Sequence, residues 1–142
     1  MIYTKDTIKA MKLEYDMHHG QYDKGGAPYI NHPLAVADKM KSEDLTIVAL
    51  LHDVMEDCGV TREFLLKEGY SDRVVTAIEA ITKREGENYD DYIARVRANA
   101  LARTVKMHDL IHNSFLERLG REVTDEDLER VKRYRRSLGK LL

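Results

Sequence analysis

The stretch Leu50-Leu51-His52-Asp53-Val54-Met55-Glu56-Asp57 sets one imidazole and three carboxylates among apolar neighbours. On a continuous helix at about 100° per residue, with His52 at zero, Glu56 falls near 40°, Asp53 near 100° and Asp57 near 140°. Ile47, Leu50, Leu51, Val54 and Met55 occupy the rest of the circumference, so the helix is expected to be buried. Ionisable groups gathered on a buried helix need compensation. A divalent cation supplies it economically, and imidazole with carboxylate suits a borderline or hard ion. A second His-Asp pair lies in Val105-Lys106-Met107-His108-Asp109-Leu110-Ile111-His112-Asn113. There His108, Asp109, His112 and Asn113 share a similar arc, while Met107, Leu110 and Ile111 face elsewhere. Two mostly apolar helices with such clusters can face one another across an ion. Spacing alone leaves open whether His108, Asp109 or His112 is the ligand. A chance His-Asp dipeptide on a solvated helix is the plain alternative for either pair.

Helices must hold these groups, and apolar spacing is helical nearly throughout. Thr4 caps a first helix with Ile8, Met11, Tyr15 and His18 on one face. Gly20 to Pro33 is the clear loop, broken by Gly20, Gly25, Gly26 and Pro28. Pro33 opens a helix through Val36 and Met40. Ser42 or Asp44 caps the helix that carries His52 to about Cys58, and Gly59 stops it. Thr61 and Ser71 open two more, the second with Val74, Val75, Ile78 and Ile81 as its stripe. A polar loop at 83–88 precedes helices from about Tyr89 and from about Leu101 to Leu119. Thr124, followed by Asp125, Glu126 and Asp127, caps the last helix. That helix puts Leu128, Val131, Tyr134, Leu138 and Leu141 on one side. No segment shows the two-residue alternation of a strand. The expected fold is all-α, a helical bundle of about seven to eight helices, with residues 1–142 as a single domain.

Composition narrows the partners. A net charge of −2 provides no global field for nucleic acid or an anionic membrane, so an anionic substrate needs local cations or a metal. The basic end formed by Arg130, Lys132, Arg133, Arg135, Arg136 and Lys140 reads as a solvated helix face that complements its dipole. Cys58 is the only cysteine and cannot form an internal disulfide. Residues 1–15 lack a signal-peptide core, and no apolar run approaches the roughly 20 residues of a membrane span. A cytoplasmic protein without membrane or nucleic-acid partners is expected, and a homo-oligomer is left open.

Several segments, in order, resemble a known family. Gly20-Gln21, Lys24, Gly26, Pro28-Tyr29-Ile30 and His32-Pro33-Leu34-Ala35-Val36-Ala37 are similar to the opening of the hydrolase domain of RelA/SpoT-type enzymes. Ala49 through Val54 with Glu56-Asp57 and Thr61, then Ala80-Ile81-Thr82-Lys83, then Val105-Lys106-Met107 through Asp109 with His112-Asn113, resemble the following blocks. These enzymes are HD-superfamily phosphohydrolases that degrade guanosine 3′,5′-bis(diphosphate), ppGpp. The resemblance implies an HD-domain fold and a divalent metal, usually manganese, held by His32, His52, Asp53 and Asp109. It implies that Glu56 and Asp57 position or activate water beside the 3′-pyrophosphate. It puts Lys24, Tyr29, Lys106 and Asn113 against the nucleotide and its phosphates. The long members carry a synthetase half after the hydrolase, and a small stand-alone form is expected here. Three positions depart from the pattern: Asp23 replaces an arginine that helps hold guanine, His108 replaces a small residue, and Leu116 replaces a threonine. The expected reaction is hydrolysis of ppGpp to GDP and pyrophosphate. The alternatives are an HD phosphohydrolase for another nucleotide, or a catalytically idle module that binds a nucleotide or a protein.

Overall fold

Seven helices begin where a short polar side chain can take up a free amide, as N-caps do. Thr4, Ser42, Thr61, Ser71, Asn88, Asn99 and Thr124 each accept from a backbone N–H two or three residues on. In the computed structural model, which describes residues 1–142, they open α1 (Lys5–His18), α3 (Glu43–Leu51), α5 (Arg62–Lys67), α6 (Asp72–Ile81), α7 (Tyr89–Arg97), α8 (Ala100–Asn113) and α9 (Asp125–Leu141). The two helices without a side-chain cap are α2 (Asn31–Ala37) and α4 (Val54–Cys58). Both begin beside residues that the site uses. A 3₁₀ turn at Leu116–Leu119 completes an all-helical fold that contains no strand. No helix is long and apolar enough to cross a membrane.

The helix expected over Ser42 to Cys58 is broken. α3 ends at Leu51, and Asp53, at φ −106° and ψ −1°, starts α4 in a new direction. With α3 and α4 taken as one interrupted helix, the bundle has eight helices, as expected. The helix expected to reach Leu119 stops at Asn113. There the Ser114 hydroxyl donates back to Leu110 O at 2.7 Å, a bond that competes with continuation of the helix.

α3 is the central element. Thr46 through Leu51 are all buried, and the helix packs against α1, α2, α6 and α8. A helix apolar on every side belongs in the interior. Truncating one of its leucines to alanine would cost about 2–5 kcal/mol. α1 is rotated from its expected face. Its buried residues are Thr7, Ala10, Glu14 and His18, whereas Ile8 and Tyr15 remain 43 % and 49 % exposed. Leu128 of α9 is likewise exposed, so the buried side of α9 runs instead through Asp127, Val131, Ser137 and Leu141.

The rotation of α1 puts a carboxyl inside. Glu14 is 1 % exposed and its Oε1 has no hydrogen-bond partner. Burial pushes this carboxyl up to about 8, against the opposing pull of His52. The ordinary value is 4.5, so between pH 4.5 and 8 the folded chain holds a proton that the unfolded chain has lost. Stability attributable to this group therefore falls as pH rises through that window. Glu14→Gln, which keeps the volume and removes the ionisation, should raise the thermal midpoint more at pH 8 than at pH 5. Equal shifts at the two pH values would contradict this account.

Candidate metal centre and adjoining pocket

His32 enters from the first turn of α2, His52 from the end of α3, Asp53 from the break before α4, and Asp109 from α8. One donor atom from each lies within 4.8 Å of all the others. His32 Nε2 is 2.8 Å from Asp109 Oδ1 and 3.9 Å from Asp53 Oδ2. His52 Nε2 is 3.1 Å from Asp53 Oδ2 and 3.3 Å from Asp109 Oδ1. Ligands at about 2.1 Å from one ion, set at right angles to each other, lie roughly 3 Å apart. Three of the four imidazole–carboxylate distances match that spacing, so this buried cluster could bind a metal.

The interrupted helix builds half of it. As α3 ends, its last carbonyls lack helical partners. The His52 ring meets one of them, with Nδ1 2.6 Å from Ala49 O, and thereby turns Nε2 inward. Asp53 occupies an N-cap position without capping, because its carboxylate faces the cluster and accepts from the Tyr29 hydroxyl at 2.5 Å. The helical arc drawn through His52, Asp53, Glu56 and Asp57 therefore does not apply across the break. α4 closes at Gly59, whose φ of +67° favours a residue without Cβ.

Charge compensation extends outward from Asp109. Burial would push its carboxyl up, but Lys106 first, and then His32 and His52, hold it well below the usual range. Lys106 Nζ lies 2.8 Å from Asp109 Oδ2, and Asn113 Nδ2 donates to Oδ1 at 3.0 Å. Burial opposes the charge on His52 as well, but Asp53 and Asp109 outweigh it and raise that imidazole well above its ordinary value. His112 lies behind His32, with their Nδ1 atoms 2.7 Å apart. Burial and then Arg118 push His112 down to about 4. His108 lies outside the cluster, so of the three groups that spacing left open only Asp109 joins it.

The remaining expected residues divide between rim and pocket. Glu56 and Asp57 are exposed on α4, and Glu56 Oε1 accepts from the Lys83 backbone N–H at 3.0 Å. Although the residue is exposed overall, partial desolvation of its carboxyl, then Asp53 and Glu56, push Asp57 up to about 6. Lys24, Tyr29 and Asn113 line a cavity of about 260 Å³. Lys106 is not in that lining, and its ammonium is engaged by Asp109.

Sequence reasoning missed the rest of the cavity wall. Tyr22, Phe115 and Tyr134 contribute aromatic rings, and Arg118 and Arg130 contribute guanidinium groups. The basic face of α9 is thus not wholly solvated: Arg130 is paired with Asp127 at 2.7 Å and faces the cavity. Asp23 does not line the cavity as a free carboxylate. Its Oδ1 accepts from Gly25 N and Ala27 N, both at 2.9 Å, and its Oδ2 accepts from Arg118 at 3.3 Å. Arg118 also donates to His112 O at 3.0 Å. The loop at 20–30 is thereby docked on the 3₁₀ turn.

No protein-family model matches the chain. A guanosine-3′,5′-bis(diphosphate) 3′-pyrophosphohydrolase of Borreliella burgdorferi is 37 % identical over 83 residues, covering 56 % of this chain and 12 % of that protein. The protein of the same description from Aquifex aeolicus is 29 % identical over 144 aligned positions, covering 89 % of this chain and 20 % of its own length. The chain thus spans a fifth or less of these curated relatives. Among solved structures, a metazoan orthologue of SpoT, described as hydrolysing ppGpp, superposes with a TM-score of 0.78 at 18 % identity. That match covers 99 % of this chain and 88 % of the other, and it is a likeness of fold.

The docked loop makes a strict steric demand at one residue. A Cβ on Gly25 would lie 2.3 Å from Arg118 O and 3.0 Å from Leu119 O. Gly25→Ala should therefore lower the unfolding free energy by about 1–3 kcal/mol, the usual cost of overpacking. Denaturant unfolding measures this directly, and an unchanged midpoint would mean that the loop does not rest on the turn.

Proposed function

We propose that this chain, a homologue of the hydrolase domain of RelA/SpoT-type proteins, is a manganese-dependent phosphohydrolase that converts ppGpp to GDP and pyrophosphate. Residues 1–142 act in this reading as one HD-type unit. The observation that carries it is the convergence of His32, His52, Asp53 and Asp109 within 4.8 Å, beside a cavity walled by aromatic rings and cations. Its chemistry fits: two imidazole nitrogens and two carboxylate oxygens would hold the ion. When bound, the ion supplies Lewis acidity to a phosphoryl oxygen and to water.

The chain's own groups do the rest. In this reading Glu56, whose Oε1 accepts from the Lys83 N–H, or Asp57 takes a proton from the attacking water. Water adds to the phosphorus bonded to the 3′ oxygen, the bond from phosphorus to that oxygen breaks, and the 3′ oxygen leaves with a proton. Tyr29 keeps its own proton, since burial and then Asp53 push its hydroxyl up, and it steadies Asp53 by donating to it. Lys106 balances Asp109, and Asn113 orients it. Lys24, Arg118 and Arg130 offset phosphate charge locally, so a chain of net charge −2 can accept a polyphosphate. Tyr22, Phe115 and Tyr134 offer faces for a base.

A second reading, a different nucleotide at the same centre, is favoured by one observation. Asp23 stands at the pocket edge with its carboxylate occupied by loop amides and Arg118, so it supplies no base contact. Manganese-loaded protein incubated with ppGpp and a small nucleotide panel separates the readings. Pyrophosphate release from ppGpp alone supports the first, turnover of another nucleotide supports the second, and metal binding without turnover of any would point to an idle binding module.

Variants test the roles. His52→Ala and Asp53→Ala should each lose bound manganese and activity, and full metal content in both would place the ion elsewhere. Glu56→Ala should keep the metal while kcat drops about 10²–10⁴-fold, the usual worth of a positioned general base. A normal rate would remove Glu56 from the mechanism.

A further inference from the structure

Resting on the metal reading above, we propose that His112 is a positioning residue: its Nδ1 accepts the Nδ1 proton of His32 and so presents the His32 Nε2 lone pair to the ion. The two Nδ1 atoms are 2.7 Å apart. The rings lie within 21° of parallel, with centroids 5.0 Å apart. Stacked faces would keep ring atoms about 3.5 Å or more apart. The rings therefore meet edge to edge, in the plane that holds the N–H and the lone pair. Two nitrogens so close must share a single proton, because two lone pairs or two N–H groups would repel.

The opposite edge of His32 decides which ring holds that proton. His32 Nε2 is the nitrogen aimed at the cluster, 2.8 Å from Asp109 Oδ1. An imidazole that ligates through Nε2 carries its proton on Nδ1, so His112 Nδ1 must accept and His112 must be protonated on Nε2. Ligating histidines commonly donate this second N–H to a carbonyl, carboxylate or water. His52 follows that habit, with Ala49 O at 2.6 Å, whereas His32 has another imidazole in that place. His112 is fixed for the task. Its backbone carbonyl accepts from Arg118 at 3.0 Å, and its ring packs against Phe115 at 74°, with centroids 5.9 Å apart. α8 thus contributes one cluster residue, Asp109, and the partner of another.

The test is calorimetric Mn²⁺ titration of the unmodified protein, His112→Leu and His112→Asn, with ¹⁵N spectra of histidine-labelled protein loaded with Zn²⁺. His112→Leu should weaken Mn²⁺ binding about 10- to 100-fold, the usual effect of losing such a partner. His112→Asn, which retains an acceptor near the same point, should recover most of that loss. In the Zn²⁺ form His112 should be protonated on Nε2 and His32 on Nδ1. Unchanged affinity in the leucine variant, equal losses in both variants, or a proton on His112 Nδ1 would overturn the assignment. If the leucine variant does not fold, the spectra of the unmodified protein decide. An unmodified protein that binds neither ion would overturn the metal reading and this one together, whereas ion binding with the reversed tautomer would overturn this one alone.

Discussion

A carboxylate carried deep between helices is expensive to keep ionised, and at Asp109 the surrounding structure meets that cost. Lys106 lies against one oxygen, while His32, His52 and Asn113 surround the other. Lys106 is nearly enclosed itself. Burial would lower its basicity, but Asp109 more than offsets that and keeps the ammonium charged. The ammonium also lies 5.5 Å from the centre of the Tyr92 ring, and the Tyr92 hydroxyl donates to Ile81 O at 2.6 Å. The charge pair on α8 thus lies against the α7 residue that is bonded to the end of α6. Deleting either member of such a pair leaves the other uncompensated, typically at about 3–5 kcal/mol. α2, α3 and α8 each bring a polar group to Asp109: His32, His52, and Lys106 with Asn113.

Much of the scaffold was legible in local chemistry. Thr4, Ser42, Thr61, Ser71 and Thr124 cap the helices that their positions announced. The run from Ile47 to Leu51 marked α3 as interior. What escaped was set by distant partners. Nothing between Ser42 and Cys58 is a glycine or proline, so no local signal marks the break after Leu51. At the break the His52 ring turns to Ala49 O and Asp53 reaches toward His32 of α2 and the Tyr29 hydroxyl. α1 turned by one position for a similar reason: its interior face carries Glu14, which hydropathy assigns to water, alongside the expected His18, while Ile8 and Tyr15 face outward.

The candidate cluster was legible only in part. Spacing marked two helices that carry ligand types, and the resemblance to a family selected four residues. Choosing Asp109 over His108 depends on how α8 is phased against α2 and α3, which periodicity within α8 does not contain. Arg118 was invisible for a plainer reason. Ninety-five positions separate it from Asp23, and their contact exists only once the loop lies on the 3₁₀ turn.

The cluster and much of the cavity wall are made from different parts of the chain, although Asn113 of α8 and Arg130 and Tyr134 of α9 also line the cavity. Helix ends and helix interiors carry the four converging donors, whereas Tyr22, Lys24, Gly25, Phe115 and Arg118 belong to a loop and a turn. Connections tolerate replacement far better than packed helices do. Under the proposed reading, changes in the loop and the turn would alter what the cavity admits while leaving the four converging donors in place.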